Sequence, residues 1–263
     1  MKNRFENKVI LITGAGSGLG QATATRVAGE GAILSLMDVS IDSLEKTQEK
    51  IRSAVPSCQI RLCEADASNE TAMKDYIEGT AKEFERIDGL YNNAGIEGGE
   101  NKPIGTYDSK TFDKVIDINL KGVFYGQKYT LPIMEKQGSG AIVNASSVCG
   151  IRALPNQVGY TASKHAVAGM TKSAAIEYGK FGVSVNAISP GTTLTEMVVG
   201  ALKQYSGEKD WEVFAKEYAS TNPALRFGVP EEVAAVVAFL LSQEAPYLNG
   251  TVIPIDGGQS ARY

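Results

Sequence analysis

The chain places a tyrosine, Tyr160, four residues before a lysine, Lys164, in the stretch "VGYTASKHAV". On a helix that spacing brings the two side chains onto one face, about one turn apart. A free phenol has a pKa near 10, so acid/base work at neutral pH needs a shift of roughly two to three units, or about 3–4 kcal/mol in favour of the phenolate. A nearby ammonium in a partly dry cleft is a source of such a shift. Ser147 stands thirteen residues earlier, at the end of the apolar run "AIVNASS". Together they suit chemistry in which a hydroxyl holds a carbonyl oxygen while a phenol gives or takes its proton. The chain also carries a control for this reading: Tyr205 and Lys209 in "YSGEK", with Thr192 thirteen residues before the tyrosine. Gly207 interrupts that second pair and no strand end precedes it, so the expectation is an exposed coincidence.

His165 is the only histidine, which excludes a multi-histidine metal centre and leaves one residue on which a Ser-His-Asp triad could be built. It points to another part of the helix surface and reads as structural. Cys58, Cys63 and Cys149 follow no metal or redox spacing, so no metal is expected.

Two further groups mark a nucleotide site. Directly after the strand-like "KVILIT" comes "TGAGSGLG", Thr13 to Gly20, followed by a helix-like run. Gly14, Gly18 and Gly20 permit a tight turn, close approach of a diphosphate and a helix N-terminus facing that anion. The next strand-like run ends in Asp38, where a carboxylate can accept hydrogen bonds from an adenosine ribose. The competing role for Asp38 is capping the following helix, a task Ser40 could perform instead.

The elements that must position these residues alternate along the chain. "KVILIT", "AILSLMD", "QIRLCEAD", "DGLYNNAG", "AIVNASS", "VSVNAIS" and "TVIPID" read as strands apolar enough to be covered on both faces. Amphipathic runs such as "SIDSLEKTQEKIRSAV" separate them. The expected fold is α/β: one Rossmann-type doubly wound domain over residues 1–263, a parallel seven-stranded sheet with helices on both faces. A helical, strandless stretch at about 192–227 is expected to form a lid or small lobe.

Bulk properties narrow the partners. The 263 residues are 43% hydrophobic, with a net charge of −4 and no basic run. That argues against nucleic acid or an anionic membrane surface as a partner. No apolar run reaches the length of a membrane span and the N-terminus lacks a signal-peptide pattern, so the expectation is a soluble cytoplasmic protein.

In order along the chain stand "TGAGSGLG", Asp66 after the third strand, "NNAG", Asn119 in "DINLKG", Ser147 in "VNASS", "YTASK", "SPG" at 189–191, "GVPEEVA" and "IDGG". With this set the chain resembles the short-chain dehydrogenase/reductase family from Lys8 to its end. The resemblance implies an NAD(H)-dependent oxidoreductase interconverting a ketone and a secondary alcohol. It implies catalytic roles for Asn119, Ser147, Tyr160 and Lys164: Ser147 bonds the carbonyl oxygen, Tyr160 supplies the proton, Lys164 lowers the phenol's pKa and binds the nicotinamide ribose, and Asn119 holds a water that refills the proton. It further implies cofactor contacts from Gly14, Ser17, Gly18, Leu19, Gly20, Asp38, Asp66, Ala67, Asn93, Tyr160, Lys164, Pro190, Gly191, Thr193 and Thr195. Asp66 would bind the adenine amino group, Thr195 the carboxamide, and Thr193 would offer its backbone N–H. Ala67 replaces the larger apolar residue usual in the family. A homotetramer is implied as well.

Pocket walls are expected from Val148 to Val158, the stretch after Gly191 and the loop after Gly95. Leu154, Leu194, Met197, Val198 and Leu202 would supply apolar surface, with Arg152, Asn156 and Gln157 near the rim. This lining and the resemblance favour a compact cyclic ketone without phosphate or carboxylate. A sugar dehydrogenase and a 3-oxoacyl-carrier-protein reductase are the alternatives within the family. A dinucleotide-sensing regulator is the alternative outside enzymes, and it would have no need of an activated phenol.

Overall fold

A computed structural model describes residues 3–261. The first two and last two residues of the expected 1–263 domain lie outside the described residues. Seven strands form one parallel sheet: β1 (Val9–Thr13), β2 (Ile33–Asp38), β3 (Ile60–Glu64), β4 (Gly89–Asn92), β5 (Gly140–Ala145), β6 (Val183–Pro190) and β7 (Val252–Ile255). Their order is β3-β2-β1-β4-β5-β6-β7. The switch in direction between β1 and β4 opens a crevice at the C-terminal ends of the strands, where open α/β sheets collect ligands.

The described helices are α1 (Gly18–Ala28), α2 (Ile41–Ala54), α3 (Glu70–Phe84), α4 (Ser109–Ile116), α5 (Gly122–Gln137), α6 (Val158–Tyr178), α7 (Glu196–Tyr205), α8 (Trp211–Ser220) and α9 (Pro230–Leu241). Period-two alternation in β1 divides the core. Ile10 and Ile12 pack with Val27, Leu44, Val237 and Leu241 from α1, α2 and α9. Val9 and Leu11 pack on the other face with Met73, Ile77, Leu131 and Ala174 from α3, α5 and α6. Both faces of β1 are therefore dry, which is why its sequence shows no polar alternation.

Side-chain caps start several helices. Ser40 Oγ accepts from Ser43 N at 3.3 Å, and Asn69 Oδ1 from Ala72 N at 3.0 Å. Asp210 Oδ1 accepts from Glu212 N at 2.9 Å at the start of α8. Ser40, then, caps α2, and Asp38 is free for other work.

Behind the crevice, β4, β5 and α6 are tied by a buried amide ladder. Asn92 Nδ2 donates to Asn144 Oδ1 at 3.0 Å, and Asn144 Nδ2 donates to Thr171 Oγ1 at 3.0 Å. The ladder needs Gly126 on α5, since a Cβ there would stand 2.1 Å from Asn92 Oδ1. Alanine would gain at most about 1 kcal/mol of helix propensity over glycine. Overpacking a buried site costs about 1–3 kcal/mol, more when a hydrogen-bonded group must move. Gly126→Ala is expected to be net destabilising, read as a lower urea midpoint at unchanged slope. A midpoint at or above wild type would show that the ladder yields freely.

Candidate active site

The turn from β1 into α1 forms the floor of the crevice. Gly14 and Gly18 have positive φ, 64° and 51°. A Cβ on Gly20 would lie 2.0 Å from the Gly14 carbonyl oxygen, so only glycine lets α1 start against this turn. Ser17 is the extended N-cap residue of α1 and makes no side-chain cap bond. The first N–H groups of the helix are thus available to an anion. Asn93 braces the turn by donating from Nδ2 to the carbonyls of Thr13 and Gly14, each at 3.0 Å.

Asp38 closes one end of the crevice. Its Oδ2 accepts from Gly16 N at 2.9 Å and its Oδ1 from Ser40 N at 3.3 Å. Gly16 is a site residue that the sequence reading passed over. A Cβ there would meet Ser43 Cβ at 2.7 Å and Asp38 Oδ2 at 2.9 Å. Its signal was present as the second glycine of "TGAGSGLG". Thr13 was missed too: its buried Oγ1 accepts from Asn93 N and Ala94 N, each at 3.0 Å, pinning the β4 end to β1.

At the other end, Ser147 follows β5, and its Oγ accepts from Cys149 N at 3.1 Å. Its hydroxyl also acts on the Tyr160 phenol at the crevice wall. Tyr160 and Lys164 are one turn apart on α6. The buried Lys164 donates from Nζ to Ala145 O at 2.8 Å and stands 5.5 Å from the Tyr160 ring centroid. Burial pushes the lysine down to about 8. The phenol of Tyr160 is pushed above its ordinary value, chiefly by burial and further by Cys149 and Glu97, while the Ser147 hydroxyl pulls the other way. Lys164 is not among the groups that shift the phenol in the protein alone. In the protein alone the ammonium is spent on Ala145 O and desolvation wins.

One crevice of about 310 Å³ is lined by Gly14, Ser17, Gly18, Leu19, Asp38, Asn93, Ser147, Tyr160, Lys164, Pro190, Gly191, Thr193 and Thr195. Four residues singled out in the sequence do not line it. Gly20 lies behind the turn. Asp66 is exposed and its Oδ1 accepts from Ser68 N and Oγ, both at 2.8 Å. Ala67 is buried against α5, where a Cβ on Gly122 would be 3.1 Å from its carbonyl oxygen, so the small side chain fits a close helix approach. Asn119 is fully buried in a π-helical turn, Asp117–Lys121. Its amide accepts from Ile96 N and donates to Ile96 O, both at 2.8 Å, and clamps the loop after β4.

A second cavity of about 140 Å³ shares Ser147, Tyr160, Pro190, Gly191, Met197 and Val198 with the crevice. Its walls include Val148, Cys149, Leu154, Gln157 and Leu202. Leu194 is instead 45% exposed and does not line it, nor do Arg152 and Asn156. Glu97, Tyr205, Tyr218 and Gln259 do, and none of them stood out in the sequence. Tyr205 is a direct correction. Expected to be an exposed coincidence, it turns inward and donates its hydroxyl to Glu97 Oε1. Lys209 does lie outside, paired with Glu217 at 3.4 Å. α7 ends at Tyr205, so the two residues never share a helical face.

Comparison with known proteins agrees with this geometry. The family model described as enoyl-(acyl carrier protein) reductase matches residues 14–260. Levodione reductase of Leifsonia aquatica is 50% identical over 260 residues, covering 99% of this chain and 97% of that protein. The chain belongs to the short-chain dehydrogenase/reductase family and is an oxidoreductase acting on CH–OH/C=O groups. The crystal structure of levodione reductase superposes with a TM-score of 0.96 at 49% identity, over 98% of this chain and 100% of that one. Cyclohexanol dehydrogenase of Acinetobacter sp. (strain SE19) is 35% identical over 100% of this chain and 98% of its own. A NAD⁺-bound xylitol dehydrogenase structure matches with a TM-score of 0.91 at 34% identity, over 97% of this chain and 99% of that one. Among the described residues no helix is long and apolar enough to cross a membrane.

Proposed function

We propose that the protein is an NAD(H)-dependent reductase of compact ring ketones, working reversibly on the corresponding secondary alcohols. One observation carries the reading. Ser147 and Tyr160 line both the glycine-floored crevice and the mainly apolar cavity beside it, so a ketone in the cavity reaches them and the dinucleotide site together. A bound dinucleotide supplies hydride to the carbonyl carbon and, when oxidised, a positive ring that lowers the pKa of nearby acids.

The chain's own residues do the rest. The Ser147 hydroxyl donates to the carbonyl oxygen, and Tyr160 transfers its phenolic proton to the oxygen as negative charge develops. In the reduction direction a phenol held protonated by burial is the required starting state. Lys164 is placed to bind the nicotinamide ribose and to return a proton to Tyr160. Asn119 clamps the loop at Ile96 and would hold the water that refills the proton. Gly14, Ser17, Gly18 and Leu19 would hold the diphosphate, with Gly20 behind them letting α1 start against the turn, Asp38 the ribose, and Pro190, Gly191, Thr193 and Thr195 the nicotinamide end. Asp66, Ala67 and Asn93 would complete the adenine side, and residues 192–227 would act as a lid over a single domain. We assign the protein to the cytoplasm as a homotetramer. The exposed Phe124 and Ile176 on α5 and α6 supply apolar surface for such contacts.

The cavity wall holds no lysine or arginine among the described residues. An anionic substrate would lie there without a partner, and burying an unpaired charge is costly. Specificity constants for a methylated cyclohexanone, an aldose and a 3-oxoacyl thioester, taken with NADH at one pH, should rank the ring ketone first by at least about tenfold, or 1.4 kcal/mol. A tenfold lead for the sugar or thioester would overturn the substrate assignment and leave the oxidoreductase chemistry standing.

A further inference from the structure

Arg152, in the loop between β5 and α6, is a half-buried cation that the fold leaves without a counter-charge. Arg4, Arg26, Arg61, Arg86 and Arg226 each pair with a carboxylate, and Arg52 stands out in solvent. Among the described residues no carboxylate or carbonyl accepts from the Arg152 guanidinium. Withdrawing part of a charge from water without a partner is costly. The planar guanidinium is also the side chain best matched to a carboxylate.

Arg152 lines a chamber of about 200 Å³ together with Val148, Cys149, Ala153, Leu154 and Gln259. Val148, Cys149, Leu154 and Gln259 also line the ketone cavity, so the two spaces meet along that wall. The cavity's own carboxyl, Glu97, is tied to Gln157 and Tyr205 and does not line the chamber. No acidic residue lines the chamber at all. Gln259 adds an amide that makes no side-chain hydrogen bond to a described residue, its Oε1 being buried without a partner. A ring seated against Ser147 and Tyr160 would therefore find aliphatic surface along Val148 and Leu154, and a positive charge beyond it.

We propose that the chamber is a substrate subsite for an acidic side arm: the protein reduces ring ketones carrying a short chain that ends in a carboxylate, paired by Arg152 and bonded by the Gln259 NH₂. The ring cavity has no lysine or arginine, so the acid must ride on an arm long enough to leave it. This confines the expectation of a substrate without a carboxylate to the ring itself. The inference deepens the ring-ketone reading and rests on it.

The test uses 3-(3-oxocyclohexyl)propanoate, its methyl ester and 3-methylcyclohexanone, each reduced with NADH. Acid and ester share the ring and the arm, so the ratio of their kcat/KM values isolates the charge. An exposed ion pair is worth up to about fivefold, and a bidentate, half-buried one more. Wild type should favour the acid by at least about fivefold, by a margin that shrinks as salt is raised. Arg152→Met keeps an aliphatic stem and removes the charge, and the acid-to-ester ratio should fall at least about fivefold. Ala153→Glu, at an exposed position on the chamber wall, should also lower the ratio by placing a like charge there. A wild-type ratio near one, with 3-methylcyclohexanone reduced, would overturn the proposal and spare the ring-ketone reading. Arg152 would then be a stem covering apolar surface with its head in water. A preference for the acid that survives Arg152→Met would overturn the proposal as well. Reduction of none of the three ketones would defeat the ring-ketone reading and this one with it.

Discussion

Replacing Tyr160 by phenylalanine is expected to lower kcat by about 10²–10⁴, the usual worth of a positioned general acid. Dinucleotide affinity should be nearly unchanged. The phenol is the acid that lines both the crevice and the substrate cavity, with Ser147 beside it and the buried Lys164 Nζ 5.5 Å from its ring. Phenylalanine keeps the ring's packing and removes only the hydroxyl, so folding should survive. The check is turnover at saturating ring ketone together with NADH binding by fluorescence titration. Near-normal turnover would remove Tyr160 from the mechanism. Loss of binding and turnover together would point to a collapsed crevice instead of a missing acid.

The second large effect concerns the choice of dinucleotide. NADP carries an extra phosphate on the ribose that Asp38 is placed to bind. The carboxylate is fixed there by Gly16 N at 2.9 Å and Ser40 N at 3.3 Å, so it has little freedom to swing away. Ser17, Val39 and Ser40 flank the position and provide no cation. Repulsion between two partly desolvated anions should disfavour NADP by at least about 3 kcal/mol, roughly a hundredfold in kcat/KM. Asp38→Ser should shrink that ratio to below about tenfold, through weaker NAD use as well as relieved repulsion. Equal specificity constants for the two cofactors in the wild-type protein would show that Asp38 does not face the ribose.

Expectations about the cavity fared differently from those about the crevice. Met197, Val198 and Leu202 all sit on α7 and line the cavity, Met197 while 46% exposed, whereas Leu194 lies before that helix begins and lines no part of it. Hydrophobicity could not separate them, because an apolar residue near a lid packs inward or outward according to how the helix is seated. The same seating carries Tyr205 onto Glu97, a contact spanning 108 positions in the chain.

What the sequence determined by itself is what local spacing controls. Uninterrupted β-branched runs identified the seven strands because a strand covered on both faces has no polar alternation. The crossovers between them then allowed only a parallel, doubly wound order. Ser147, Tyr160 and Lys164 were legible because a strand end and one helical turn fix their relation within eighteen positions. The glycines of the turn from β1 into α1 were legible because a turn against a helix N-terminus tolerates little else. Tertiary structure alone decided the rest. Gly16 and Thr13 became site residues only when β2 and β4 were laid beside β1. Asn119 took its buried place only through a π-turn with no pattern of its own in the chain. Glu97, Gln157 and Tyr205 met only because three separate elements close over one end of the sheet. Such contacts depend on how packed layers settle against each other, and the short-range periodicities that write strands and helices carry no record of that.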